Sequence, residues 1–138
     1  MADSTRPPEP FAIQIRVRYS DTDCSGAVYH AKYLDYFEWS RTELLRAAGH
    51  PYRSLEASGV ALVVVSANVA FHRPARYDDL LEVVTTVTGE TGARLTLGYE
   101  LLRLPDRELL ATGETVLACV DAQSRKARRL PPLFHATR

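Results

Sequence analysis

Cysteine is scarce in this sequence, net charge is absent, and no long apolar run occurs. The two cysteines, Cys24 and Cys119, stand far apart and form no CxxC pair. That spacing excludes a zinc ribbon and the disulfide framework typical of small secreted domains. We expect both residues to be free thiols, buried or half-buried, because free cysteine usually behaves as a small apolar side chain.

The charge balance and the hydropathy exclude two further classes of protein. Seventeen basic residues cancel seventeen acidic ones, so no overall field favours nucleic acid or an anionic membrane surface. No apolar stretch approaches the roughly 20 residues needed to cross a bilayer, and the first residues hold no signal-peptide core. These absences predict a cytoplasmic protein with no nucleic-acid partner and no membrane insertion.

The remaining composition is that of one ordinary globular domain. The chain has 138 residues, of which 46% are hydrophobic, and this is enough for a real apolar core. Residues 1–10 contain three prolines and little to bury, which predicts a disordered N-terminal arm. We therefore expect a single domain over residues 11–138.

Hydrophobic periodicity predicts one long helix and five strands. Residues 11–19 alternate apolar and polar side chains, as a strand buried on one face does. Residues 27–48 lack glycine and proline and predict a deeply buried helix that stops before Gly49. Its broad stripe comprises Tyr33, Tyr36, Phe37, Ser40 and Leu44, with Leu34, Arg41, Leu45 and Ala48 beside them. After a polar connector, four more strands are predicted as a meander over residues 60–71, 79–88, 94–104 and 108–121.

This order of elements favours an α+β fold with one antiparallel sheet. No crossover helices are available to connect parallel strands, so consecutive hairpins are the simpler arrangement. A sheet this apolar, with a single helix to cover it, should curl around that helix. Its edge strands and outer face also need cover, which predicts a dimer.

The segment 21–30 combines the groups that acyl hydrolysis requires. A helix N-terminus leaves backbone N–H groups free and can polarise a carbonyl oxygen. A carboxylate just before it, Asp21 or Asp23, could attack that carbonyl or activate water, and Gly26 would permit close approach. Alternatively, Asp21 and Asp23 are caps or turn formers, or they bind a metal together with His30. No GxSxG, GxGxxG or Walker A motif occurs.

Basic side chains concentrate near the predicted strand ends and in the C-terminal tail. They form either a solvated rim or a site for an anionic partner such as a phosphate group. The residues are Arg73, Arg76, Arg94, Arg125, Lys126, Arg128 and Arg129.

Two stretches carry a resemblance to a known family. YSDTDCSGAVYHAKYLDYFEWSRTELL, residues 19–45, resembles the signature of the 4-hydroxybenzoyl-CoA thioesterase family of hotdog-fold proteins, most closely its Tol-Pal-associated acyl-CoA thioesterase branch. VSANVAFHRPARYDDLLEV, residues 65–83, is similar to the family's next strand and PAR-x-DD turn. The resemblance implies a long helix wrapped by an antiparallel sheet, and protomers that pair side by side as a dimer or homotetramer.

The resemblance also implies roles for individual residues. Asp23 would be catalytic, as nucleophile or as general base, and backbone N–H groups around Tyr29 and His30 would polarise the thioester carbonyl. The His30 side chain would orient substrate or water. The implied substrate contacts are Gly26, Val28, Glu38, Ser66 and Asn68, and the implied CoA phosphate contacts are Arg73, Arg76, Arg94 and Arg128. Two residues depart from the usual pattern: Cys24 replaces Ala or Pro, and Arg73 replaces a smaller residue.

The prediction is therefore a thioesterase that hydrolyses an acyl-CoA or an acylated carrier protein, with no cofactor and no metal. A non-catalytic acyl-CoA or acyl-carrier-protein sensor on the same fold is the alternative, and a dehydratase or isomerase is a third.

Overall fold

The computed structural model describes residues 10–134. Residues 1–9 of the predicted N-terminal arm lie outside the described residues. Within the described range, no helix is long and apolar enough to cross a membrane.

Five strands form a single antiparallel sheet, and one long helix packs against it. The sheet order is β1-β3-β4-β5-β2, which confirms the predicted α+β fold. The strands are β1 (Phe11–Arg16), β2 (Val60–Phe71), β3 (Leu80–Thr91), β4 (Arg94–Arg103) and β5 (Glu108–Asp121), and the helices are α1 (Lys32–Ala47) and α2 (Tyr52–Ala57).

The predicted four-strand meander is wrong at its first member. β3, β4 and β5 follow one another as hairpins, but β2 pairs with β5 at one edge of the sheet, and β1 pairs with β3 at the other. Residues 72–79 therefore cross the end of the sheet rather than form a hairpin. Hydrophobic periodicity could not predict this strand order. Periodicity describes each strand separately, whereas the order depends on which strand edges are free to pair.

Helix α1 supplies the centre of the core. Tyr33, Tyr36, Phe37, Ser40 and Leu44 are buried as the predicted stripe requires, and Phe37 stacks on Tyr99 of β4 with ring centroids 4.4 Å apart. The helix is nevertheless not buried on all sides. Leu34 of the second predicted row is 41% exposed and Trp39, on a different side of the helix, is 50% exposed.

Two predicted boundaries differ from the structure by several residues, and one short helix was not predicted. α1 begins at Lys32 instead of residue 27, because Ala27 and Val28 are extended and form bridges to Arg76 and Thr22. β1 ends at Arg16, and residues 19–21 form a 3₁₀ turn. The polar connector after α1 contains α2. Cys119 is a buried free thiol as predicted, but Cys24 is exposed.

The two ends of the sheet differ in what they carry. We call them the Phe71 end, with Arg16, Leu80, Arg103 and Glu108, and the Val60 end, with Thr91, Arg94 and Asp121. A strand of ten residues separates them by about 30 Å, at roughly 3.3 Å per residue. The segment 21–30 and the connection 72–79 both lie at the Phe71 end.

Candidate active site

A short hairpin at the Phe71 end presents Asp23 to solvent. The Asp23 N–H donates to the Ala27 carbonyl at 2.9 Å, and the Gly26 N–H donates to the Asp23 carbonyl at 3.1 Å. Gly26 has φ +86°, a left-handed conformation that glycine adopts without steric cost. The Asp23 carboxylate accepts the Ser25 hydroxyl at 2.6 Å and the Ser25 N–H at 2.8 Å. These two bonds lower the pKa of Asp23, so it is an anion at neutral pH.

Asp21, two residues earlier, is a buried structural anchor. It is 1% exposed, and its carboxylate accepts the Arg18 N–H at 3.0 Å and the Tyr36 hydroxyl at 2.9 Å. The Arg18 guanidinium, at 3.2 Å, and the Lys32 ammonium, at 3.9 Å, balance its charge. Burial alone would raise the pKa of Asp21, but the hydrogen bonds from Arg18 and Tyr36 hold it below its usual value. Asp21 therefore serves as the predicted turn former and also ties β1 to α1.

The start of the helix offers free backbone donors. The Tyr29 N–H donates to the Asp21 carbonyl at 2.9 Å, so it is not available to a substrate. Within residues 10–134, the N–H groups of His30 and Ala31 have no hydrogen-bond partner, and Ala31 places no side-chain cap over them. The predicted donor pair around Tyr29 and His30 is thus shifted by one residue, because the helix begins later than its periodicity indicates.

An open depression of about 290 Å³ lies beside these donors. His30 and Val28 line it, as the resemblance implied, and the ring of His30 packs on Tyr29 with centroids 4.5 Å apart. Sequence analysis missed the rest of the lining, which is Tyr33, Phe71, His72, Arg73 and Pro74. These residues include the FHRP part of the sequence FHRPAR, which stands out in the sequence. They lie beside His30 because the connection 72–79 crosses the end of the sheet.

Several implied substrate contacts lie elsewhere in the protomer. Ser66 and Asn68 are exposed on β2, the edge strand, and do not line the depression. Glu38 lies further along α1, at a second cavity of about 130 Å³. Within the described chain, Glu38 and Arg41 form no ion pair.

The four implied phosphate contacts divide between the two ends of the sheet. Arg73 lines the depression, although Glu108 neutralises it at 2.8 Å, and Arg76 pairs with Ala27 through the backbone. Arg94 begins β4 at the Val60 end, where Arg128 donates to the Gly59 carbonyl at 3.1 Å. Among the described residues, the guanidinium groups of Arg76, Arg94 and Arg128 form no salt bridge, although the Arg76 backbone N–H donates to the Asp79 carboxylate at 2.9 Å. The four arginines therefore do not form one phosphate site within the described chain.

The predicted alternative of a metal site is not assembled here. Asp21 is committed to Arg18, Tyr36 and Lys32, and it does not share a space with Asp23 and His30. In the part of the chain that the structure describes, no three His, Cys, Asp or Glu side chains are arranged to hold a metal ion.

Known proteins resemble this chain over most of its length. The family model described as "Thioesterase-like superfamily" matches residues 17–137. The Escherichia coli O6:H1 protein named acyl-CoA thioester hydrolase YbgC is 39% identical over 121 residues, which is 88% of this chain and 90% of that protein. The Haemophilus influenzae acyl-CoA thioesterase YbgC is 37% identical, covering 88% of both chains.

Solved structures agree with these sequence relatives. The Staphylococcus aureus DHNA-CoA thioesterase superposes with a TM-score of 0.83 at 30% identity, over 86% of this chain and 79% of that one. A 1,4-dihydroxy-2-naphthoyl-CoA thioesterase from Synechocystis gives a TM-score of 0.82 at 29% identity, over 88% and 89%. The chain belongs to the thioesterase-like superfamily and has its hotdog fold.

Proposed function

We propose that this thioester hydrolase cleaves acyl-CoA in the depression beside His30, with Asp23 as the catalytic carboxylate. One observation carries the proposal: the ionised, exposed carboxylate of Asp23 lies in the turn just before a 16-residue helix whose first N–H groups, at His30 and Ala31, have no partner among the described residues, and His30 lines an open depression. The relatives named acyl-CoA thioester hydrolases support the substrate class.

The chemistry follows from these groups. The His30 and Ala31 N–H groups, at the positive end of the helix dipole, would stabilise negative charge on the thioester oxygen. Asp23 would then attack the carbonyl carbon, releasing CoA thiolate and leaving a mixed anhydride that water cleaves. Alternatively, it would take a proton from a water molecule that attacks directly. Both routes yield a free acid and a thiol, and CoA enters only as part of the substrate.

The site is completed by a second copy of the chain. Within residues 10–134 the outer edge of β2 has no neighbouring strand, and β2 exposes Val64, Val65 and Phe71. An open apolar edge favours pairing. Two-fold antiparallel pairing of β2 with its symmetry mate would set the Phe71 end of one protomer against the Val60 end of the other. Ser66 and Asn68 would then lie at the seam.

This dimer would also bring together the arginines that lie at opposite ends of the sheet in one chain. Arg94 and Arg128 of the partner subunit would approach the depression that holds Arg73, so CoA phosphates could be bound from both sides. An acylated carrier protein presents the same thioester and is a second possible substrate. Assembly into a tetramer and the cytoplasmic location stay predictions.

Release of free thiol from acyl-CoA tests the proposal. Asp23→Asn should lower kcat on the order of a thousandfold, because it removes the carboxylate and nearly preserves its shape. Asp106→Asn, in the exposed turn after β4, is the matched control and should keep the parental rate. Parental turnover by a folded Asp23→Asn protein would reject the assignment. Tight acyl-CoA binding without thiol release by the parent protein would favour the sensor alternative.

A further inference from the structure

We infer that the connection 72–79 sets the spacing between Asp23 and the His30 N–H. Two side chains, Tyr33 and Arg103, hold this connection in place, so both are positioning residues for the reaction. The inference rests on the proposed function, because it concerns the carboxylate and the backbone donor of the same site.

The connection lies as a third extended segment beside the hairpin that carries Asp23. Ala27 of the hairpin forms an antiparallel bridge with Arg76 of the connection, and the Val28 N–H donates to the Ala75 carbonyl at 2.8 Å. Ala75 is fully buried. A shift of the connection therefore moves the hairpin, and the Asp23 carboxylate moves with it.

Tyr33 ties the same connection to the start of helix α1. Its backbone N–H donates to the His30 carbonyl at 3.3 Å, so Tyr33 belongs to the turn that presents the donors. Its buried hydroxyl accepts the Ala75 N–H at 3.1 Å, and its ring packs edge-to-face on Phe71, with centroids 4.9 Å apart. The Ala75 carbonyl thus binds the hairpin and its N–H binds the helix, so one residue joins the two halves of the site.

Arg103, the last residue of β4, anchors the connection to the sheet. Its Nη1 donates to the Pro74 carbonyl at 3.4 Å and to the Asp79 carboxylate at 3.3 Å. Its Nη2 pairs with Glu108, whose other oxygen lies 2.8 Å from Nε of Arg73. The Arg103 guanidinium therefore holds the connection at two points along its length.

The chemical step depends on this spacing more than substrate binding does. The carbonyl carbon has to lie against the carboxylate while the carbonyl oxygen accepts from the helix start, and a displacement of about 1 Å costs on the order of a hundredfold in rate. The rest of the CoA moiety binds without this alignment. Loosening the connection therefore lowers kcat and leaves KM nearly unchanged.

Tyr33→Phe tests the anchor on the helix. It deletes the acceptor of the Ala75 N–H and keeps the ring, so kcat for acyl-CoA should fall about tenfold or more, with KM within about twofold of the parental value. Tyr99→Phe is the matched control, because it also deletes a buried hydroxyl, the partner of Thr115 at 2.6 Å in the middle of the sheet. It should keep the parental kcat at a temperature where both variants are folded.

Arg103→Met tests the anchor on the sheet at a partly exposed side chain, where folding does not depend on a buried group. It should lower kcat about threefold or more, again with little change in KM. Arg107→Met is its control, since it removes a neighbouring guanidinium that pairs with Glu82 at 2.8 Å and does not touch the connection. Its kcat should be parental.

A double variant separates positioning from a general loss of stability. Because the anchors act through Asp23, Tyr33→Phe should lower the residual kcat of Asp23→Asn protein much less than it lowers that of the parent. The inference is overturned by a parental kcat in either folded anchor variant, by an effect confined to KM, or by the full loss recurring in the Asp23→Asn background. None of these results touches the proposed function, which fails only if Asp23→Asn keeps its turnover.

Discussion

Two aspartates separated by one residue have opposite environments and therefore opposite uses. The Asp23 carboxylate is solvent-exposed and accepts hydrogen bonds from Ser25 of its own turn, so its charge remains available to a reacting group. Asp21 is buried, and its carboxylate binds Arg18, Lys32 and Tyr36. Its charge therefore stabilises the local fold and is not available to a substrate. Its carbonyl also occupies the Tyr29 N–H, which leaves the His30 N–H as the next donor.

Asp21→Asn should destabilise the fold by about 2 kcal/mol at neutral pH, because it weakens charge-assisted hydrogen bonds to Arg18 and Tyr36. The folded pKa of Asp21 is depressed, so its stabilisation is fully present above the unfolded pKa of about 3.9. It is lost as the pH falls through the folded pKa. Urea unfolding of both proteins from pH 7 downward should show the difference shrinking below about pH 4.

Tyr36→Phe is the control, since it removes one of these bonds and leaves the carboxylate. It should cost less than Asp21→Asn at neutral pH. A stability difference between parent and Asp21→Asn that persists undiminished at acidic pH would contradict the assigned ionisation.

Asp23, Gly26 and His30 could be proposed from the sequence because their chemistry is local to one motif, and their roles stay predictions. It could not show that Asp21 is buried, since Tyr36 and Lys32 reach it only after the helix has folded back. It also assigned a donor role to Tyr29, whose N–H is satisfied by a carbonyl eight residues earlier in the chain.

At the scale of elements, the position of α1 against the sheet depends on one small residue. Gly113 of β5 lies opposite Tyr99, and a Cβ there would meet the ring of Phe37 and lie 2.9 Å from the Asn68 carbonyl. Helix α1 can approach β5 this closely only because residue 113 lacks a side chain. Periodicity gives no signal for such a contact, because it joins three distant segments.

Gly113→Ala should destabilise the protein by about 1–3 kcal/mol, the usual cost of overfilling a packed core. Gly98→Ala on β4 is the matched control. Its Cβ would meet nothing closer than Thr88 at 3.5 Å, so stability should be unchanged or slightly higher. Thermal unfolding of both variants measures these changes in stability. Equal changes in stability for Gly113→Ala and Gly98→Ala would show that the close approach at residue 113 is unimportant.

The elements themselves were largely predictable and their ends were not. The stripe on α1 marks a helix because Tyr33, Phe37 and Leu44 repeat at the helical period. Its first turn was misplaced because residues 27–28 have no local signal for extended structure, and they become extended by bridging to Arg76 and Thr22. The six-residue helix α2 is too short for periodicity to reveal.

For the whole molecule, composition and periodicity led to the α+β class, and the resemblance supplied the hotdog arrangement. The pairing of β2 with β5 required the structure, as did the separation of Arg73 from Arg94 and Arg128 by the length of the sheet. The dimer that we propose, in which each site is shared, would explain both that separation and the open edge of β2.

A crystal structure of Asp23→Asn protein with unhydrolysed acyl-CoA would locate the thioester. We expect the thioester oxygen within hydrogen-bond distance of the His30 N–H, about 3 Å, and the carbonyl carbon beside the side chain at position 23. A thioester bound away from His30, or beside another carboxylate such as Glu38, would contradict this expectation.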